Sequence, residues 1–406
     1  MDVFTIRDRW IHKFNIPDAA GARLFWAAFV ILLVTQFSQG TMFILDYPSE
    51  SFPYHLFMVA GVIAAIKVLA FNDFKDWKEL LLAITIGLLI LAGCQLSNDW
   101  NFIYYYLVVL ASQKVKFEKI VRVFLIVVTL GILITIIAAS FGVIMELTNS
   151  RTGDPRVRYA LGMVYPTDLA ARAFYLQLFY VVYRKFKLSL PELIIGAAFT
   201  FIIYAFTDTR LDVILMTLTL IIAVVYEKTI NLIKIIGNKY LSLIGVVSIL
   251  GIIVLTYLYR ASNPLFKILN KLLSGRMEFG HQAFVKYNVT FFGQFVLQNG
   301  NGGIHHGAFD YFFIDCSFLR ILMMNGFIAF VLILVALYYL SRKFMQGKCY
   351  SLEIALLLIV ASSLIDQHLI EISFNILFVA LFANLSYFKE DTEIQPRKKF
   401  SHKTFS

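Results

Sequence analysis

The stretch IVRVFLIVVTLGILITIIAASFGVIM, Ile120–Met145, carries a single charge, Arg122, near its start. It exceeds the roughly 20 residues needed to cross about 30 Å of hydrocarbon. A backbone facing lipid must satisfy its own hydrogen bonds, so the stretch reads as a transmembrane helix. Working outward, comparable runs precede it at Arg23–Leu45, His55–Phe71 and Glu79–Gln95. Others follow at Leu169–Tyr183, Pro191–Thr207, Leu211–Tyr226, Leu241–Tyr259, Phe318–Leu340 and Leu352–Ile365. Two weaker runs are Trp100–Ala111, which is short, and Leu369–Phe388, which Glu371 and Asn375 interrupt. The expectation is an all-α, polytopic membrane helix bundle of about 12 transmembrane helices, with one large external loop containing short helices.

The composition agrees. Of 406 residues, 59% are hydrophobic and 15% charged, more apolar than a soluble domain. The net charge of +10 sits mostly in short loops between apolar runs, so it sets topology and does not imply a nucleic-acid partner. Lys/Arg-bearing loops include Lys75 and Lys78, Lys114 to Lys119, Arg184 to Lys187, Lys228 to Lys239, and Arg342 to Lys348. The alternate short loops, 46–54, 96–99 and 366–368, contain no Lys or Arg. By the positive-inside rule both termini are cytoplasmic, as expected of a multi-pass plasma-membrane protein. The division is a cytoplasmic interfacial segment, 1–22; spans one to nine, 23–259; a large external loop, 260–317; spans ten to twelve, 318–388; and a basic cytoplasmic tail, 389–406. Cys94, Cys316 and Cys349 show neither metal-ligand spacing nor a disulfide framework.

Two outer loops break the charge rule. Glu146–Asp168 carries Arg151, Arg156 and Arg158, and Arg260–Ser317 carries Arg260, Lys267, Lys271, Arg276 and Lys286. The tight turn Asp208-Thr209-Arg210 adds one more arginine. Outward cations oppose the topology signal, and the fixed donor fork of arginine suits phosphate oxygens. Either they are surface cations near lipid headgroups, or they gather into an anion site for a lipid-linked pyrophosphate. Within the long loop, Asn263–Ser274 and Glu278–Gln298 show helix-like spacing, with Gly275 and Gly280 as punctuation. His305 and His306 are adjacent and point apart, so no metal site is expected. Phe309, Tyr311, Phe312 and Phe313 either stack on sugars or pack the loop onto the bundle.

At these loops the sequence resembles the polysaccharide polymerases of bacterial surface-glycan assembly, the Wzy family, distantly akin to the O-antigen ligases. Arg151 and Gly162 match an Arg-x10-Gly pattern, and Arg158 and Gly162 an Arg-x-x-x-Gly pattern. Tyr165-Pro166-Thr167 stands where the family has His-Pro-Asn. Asp208-Thr209-Arg210 resembles a Ser/Thr-Arg heading a span, and Ser274-Gly275-Arg276 with Phe292-Gly293 a Ser-Gly-Arg…Phe-Gly pairing. Asp315-Cys316-Ser317-Phe318 with Asn325-Gly326 resembles an Asp-Asn-x-Tyr…Gly segment lacking the Asn and Tyr, and Glu371…Asn375 echoes a pair of the last span.

The resemblance implies a metal-independent transferase without cofactor. It moves a growing glycan from its undecaprenyl pyrophosphate carrier onto a lipid-linked oligosaccharide repeat unit. Its partners would be that substrate, the bilayer, and a chain-length regulator and flippase of the same pathway. Pyrophosphate is expected at Arg210, Arg276, Arg151 and Arg158. The base is expected at Asp315, with His281 and Glu278 behind it, unless Asp315 only holds an arginine. Glu371, ionisable and near the outer end of a span, is a further candidate. Competing readings are an O-antigen-ligase-like transferase and a lipid-linked oligosaccharide flippase. The flippase should show two related halves and polar residues at mid-bilayer.

Overall fold

In a computed structural model of the chain, residues 18–74, 76–150, 156–300, 302–304 and 310–390 are described. The expected interfacial segment 1–22 and the basic tail 389–406 lie mostly outside them, as do Arg151, His305, His306 and Phe309.

Apolar runs become helices: α1 (Asp18–Gln39), α2 (Phe52–Phe71), α3 (Trp77–Ser97), α4 (Asn101–Ala111), α5 (Phe117–Ser140), α6 (Pro166–Tyr183), α7 (Leu190–Thr207) and α8 (Arg210–Val224). They continue as α9 (Tyr226–Tyr257), the two loop helices α10 (Pro264–Leu272) and α11 (Arg276–Lys286), α12 (Ser317–Gln346) and α13 (Tyr350–Ser363). Among the described residues seven helices, α1, α2, α3, α5, α7, α9 and α12, are long and apolar enough to cross a membrane. This is an all-helical, membrane-embedded chain with one small hairpin, β1 (Thr148–Ser150) and β2 (Val157–Tyr159), pairing Asn149 opposite Arg158. The other expected spans are shorter or carry charge: α4 has 11 residues, and α6 contains Asp168 and Arg172.

Large apolar side chains such as Met58, Val62, Ile66 and Leu69 of α2 stay exposed, as lipid-facing surfaces require. Helices meet where small residues allow close approach, because lipid gives no hydrophobic drive between them. At Gly61 of α2 a Cβ would lie 2.7 Å from the Tyr104 ring of α4. A central layer of α6, α8 and α13 packs together, with α12 alongside α9 and α13.

Three expectations change. First, Leu369–Phe388 is not an α-helix: it runs through the short 3-10 turns His368–Ile370, Leu377–Leu381 and Ser386–Phe388. Side chains from its neighbours meet its backbone instead. Gln36 accepts from the Ser373 N–H (3.1 Å), Ser112 donates to the Val379 carbonyl (3.0 Å), and Lys343 donates to the carbonyls of Ala380, Leu381 and Ala383 (2.8, 2.9 and 3.2 Å). Irregular backbone at this depth is tolerated because protein surrounds it.

Second, the helix expected over Glu278–Gln298 stops at Lys286. The chain beyond it pairs with a break in α12, where Ile321–Asn325 form a π-helical turn ending at Gly326, φ 91°. Phe327 and Ile328 N–H donate to the carbonyls of Thr290 and Phe291 (2.9 and 3.1 Å), and Gln294 N–H to that of Met324 (2.9 Å). Gly293 and Gly326 allow this contact, since a Cβ on Gly293 would lie 2.2 Å from the Met324 carbonyl oxygen. Third, Gly280 is no punctuation mark: it lies inside α11, where a Cβ would sit 2.6 Å from Thr256 of α9. The basic stretch Lys228–Lys239 also falls within α9 and contains its kink, at Gly237.

Candidate functional site

Ser274 and Gly275 both adopt left-handed backbone, φ 56° and 87°, and turn the chain from α10 into α11. The residue that follows is Arg276, whose guanidinium enters a gap between α9, α12 and the end of α13. Its Nη2 donates to Asp366 Oδ1 (3.1 Å), and its Nε stands 3.6 Å from Asp315 Oδ2. Nε itself has no hydrogen-bond partner among the described residues. The Asp366 carbonyl in turn accepts from the Ser317 N–H (3.1 Å) and hydroxyl (2.5 Å), tying the start of α12 to the end of α13. Burial pushes the Asp315 carboxyl above the ordinary carboxylate range, against the pull of Arg276. Burial also works against the Arg276 charge, but Asp315 and Asp366 outweigh it and hold the guanidinium firmly protonated.

The surrounding cleft is lined by Thr256, Met277, Gly280, Ile314, Leu319 and Leu364, with a cavity volume of about 10 Å³. That is room for about one water.

A second ionic group lies behind the first. His368 follows Asp366 by two residues; its Nδ1 is 3.4 Å from Glu371 Oε2 and its Nε2 3.9 Å from Asp168 Oδ1. The ring stacks on Phe374 at 3.7 Å. Burial lowers its proton affinity, but Glu371 and Asp168 outweigh this and hold its pKa above the ordinary histidine value. One turn below Asp168 on α6, Arg172 is fully buried between the rings of Phe37 and Phe374, 4.4 and 4.2 Å from their centroids. Gly40 leaves its space, and Nε and Nη1 of Arg172 have no hydrogen-bond partner among the described residues. Asp212 of α8 is also buried, within electrostatic reach of Asp366, His368 and Arg276.

The residues expected from sequence are thus distributed over several places. Arg276 and Asp315 meet. Glu371 lies beside His368 in the second group. Arg158 is buried, donating from Nε to the Thr207 carbonyl (2.7 Å), and with the Arg156–Asp208 pair (3.2 Å) it fastens the hairpin to the α7–α8 turn. Arg210 is exposed on the first turn of α8. His281 Nδ1 lies 3.2 and 3.1 Å from the carbonyls of Thr256 and Tyr257, a geometry in which it donates and docks α11 on the end of α9. Glu278 is exposed and accepts from Asn270 (3.3 Å), joining α10 to α11. The loop aromatics pack: Tyr311 meets Phe279 edge-on at 4.6 Å, Phe312 stacks near Tyr287 at 6.3 Å, and Phe313 lies under Arg320 at 5.2 Å.

Asp168, Arg172, Asp212, Asp366 and His368 were not among the expected site residues. One signal was present, the i, i+4 pair Asp168/Arg172 in an otherwise apolar run. No family model, curated protein or solved structure matches the chain.

Proposed function

We propose that the chain is a polysaccharide polymerase of the outer face of the plasma membrane, crossing it twelve times with both termini cytoplasmic. It transfers a growing glycan from polyprenyl pyrophosphate to a hydroxyl of a lipid-linked repeat unit. The observation that carries this reading is Arg276, fixed at a left-handed corner of the large loop and paired with both Asp315 and Asp366.

In the proposed step the acceptor oxygen bonds to the anomeric carbon of the donor sugar. The bond from that carbon to the pyrophosphate oxygen breaks, and the electron pair leaves with pyrophosphate. Arg276 meets the charge that develops on the leaving group, in a site where burial strengthens the interaction. Asp315 takes the proton of the attacking hydroxyl, a role that a carboxyl of raised pKa suits. The closed cleft admits a sugar only after α10 and α11 move away from α9.

Asp315→Asn removes proton acceptance while nearly preserving size. Cells carrying it should accumulate single lipid-linked repeat units on the outer leaflet, because flipping precedes the blocked step. The wild-type rate should fall on acidification, as the pH drops through the raised Asp315 pKa and the base is lost. Accumulation on the inner leaflet would favour the flippase, and unchanged polymer would remove Asp315 from the mechanism.

A further inference from the structure

Between Arg260 and Arg276 the sequence has Lys267 and Lys271 and not one acidic residue. Most of this stretch is α10, a nine-residue helix in which no residue is buried. A helix this short is marginal on its own in water; one side of it is held by the chain, Phe266 against Tyr259 and Asn270 bonding to Tyr259 and Glu278. Leu265, Ile268 and Leu272 lie on one face, at i, i+3 and i+7, and are 63%, 60% and 73% exposed. Lys267 points away from this face, and Lys271, one turn on, flanks it beside Ile268.

The place of α10 in the fold narrows what covers its apolar face. It follows α9 after a short connection; the last turns of α9 expose Leu250 and Val254, and Leu258 is exposed just past its end. Across the same loop, Phe291 is exposed beside exposed Phe327 of α12, where backbone bonds fix residues 290–294 into the helix break. The loop's exposed apolar residues thus border two helices long and apolar enough to cross a membrane: α10 follows α9 in the chain, and Phe291 lies against Phe327 of α12.

We propose that α10 is an interfacial helix, with Leu265, Ile268 and Leu272 in the hydrocarbon edge of the leaflet and Lys267 and Lys271 at anionic lipid headgroups. An amphipathic helix with a basic polar face binds such a surface through buried apolar area and charge together. Because α10 leads directly through Ser274 and Gly275 to Arg276, this contact also sets the depth of Arg276 relative to the headgroups. The membrane contact itself holds whether or not the chain is a polymerase.

The test uses the full chain in liposomes of phosphatidylglycerol and phosphatidylcholine, with Cys316→Ser in the background; Cys94 and Cys349 are buried. An environment-sensitive fluorophore is placed on Ile268→Cys or on Lys267→Cys. At 268, lipid carrying a nitroxide in its acyl chain should quench emission and aqueous iodide should not; at 267 the order should reverse. Equal iodide quenching at both positions would overturn the proposal. Shielding at 268 from both quenchers would overturn it too, since a protein surface would then cover the face. Replacing phosphatidylglycerol with phosphatidylcholine should weaken nitroxide quenching at 268, and Lys267→Gln with Lys271→Gln should abolish that lipid dependence. Persistence of the dependence in the double variant would remove the lysines from the contact.

Discussion

Arg276 and Asp315 were visible in the sequence because each interrupts the pattern around it, Arg276 as an outward cation and Asp315 as the last acid before an apolar run. Arg172 had the opposite fate. It lies inside an apolar run, and only the fold shows it sandwiched between Phe37 and Phe374, residues far from it in sequence. The two arginines therefore separate by chemistry. Arg276 hydrogen-bonds one carboxylate through Nη2 and faces a second, Asp315, through Nε, so its shape matters as much as its charge. Arg276→Lys keeps the charge but loses the planar fork that reaches Asp366 and a second acceptor together. On the proposed polymerase reading, polymer formation by the Lys variant should fall by about 10²- to 10³-fold, the usual loss for one preorganised donor to a developing anion. The measurement is the rate of polymer formation in membranes normalised to protein present. Full activity would reduce Arg276 to a surface charge.

Elements defined by apolar length alone were legible, and those defined by polar partners were not. Ile120–Met145 became a helix because nothing in it competes with the helical hydrogen bonds; the helix closes at Ser140, just before Gly142 turns left-handed at φ 69°. The last apolar run, Leu369–Phe388, did not, because Gln36, Ser112 and Lys343 supply partners that no local pattern reveals. Likewise Phe292-Gly293 and Asn325-Gly326 stood out in sequence as separate pairs, but that the two glycines meet is a long-range fact. Lys343 carries the sharpest consequence. The positive-inside pattern uses it only as a cytoplasmic charge, yet its ammonium binds three carbonyls of the 3-10 segment. Lys343→Met keeps much of the stem and leaves those carbonyls without a donor, at a cost of about 1–3 kcal/mol for each that stays dry. Thermal unfolding in detergent should shift clearly downward for Lys343→Met and little for Arg342→Met, which removes the neighbouring exposed charge. Equal shifts would show that charge alone matters there.

At the scale of the whole molecule, the two ends of the bundle differ in how they hold charge. The end that carries α10 and α11 gathers Asp168, Asp212, Asp315, Asp366 and Glu371 around Arg172, Arg276 and His368, half of them buried and the rest half-buried. The opposite end carries basic side chains in or beside its turns, such as Lys185, Lys228, Lys239 and Lys348. Basic residues flanking spans resist translocation, so the second end is expected to face the cytoplasm and the ionic cluster the exterior. Membership of one helical bundle makes the two ends a single choice: if one loop is outside, the cluster is outside with it. Ser262, exposed just before α10, and Lys239, exposed near the kink of α9, report on opposite ends. With Cys316→Ser in the background, a membrane-impermeant maleimide should label Ser262→Cys in intact cells and Lys239→Cys only after permeabilisation. The reverse pattern would place Arg276 and Asp315 in the cytoplasm, where a pyrophosphate-linked glycan already flipped outward cannot reach them, and the polymerase reading would fall with the topology.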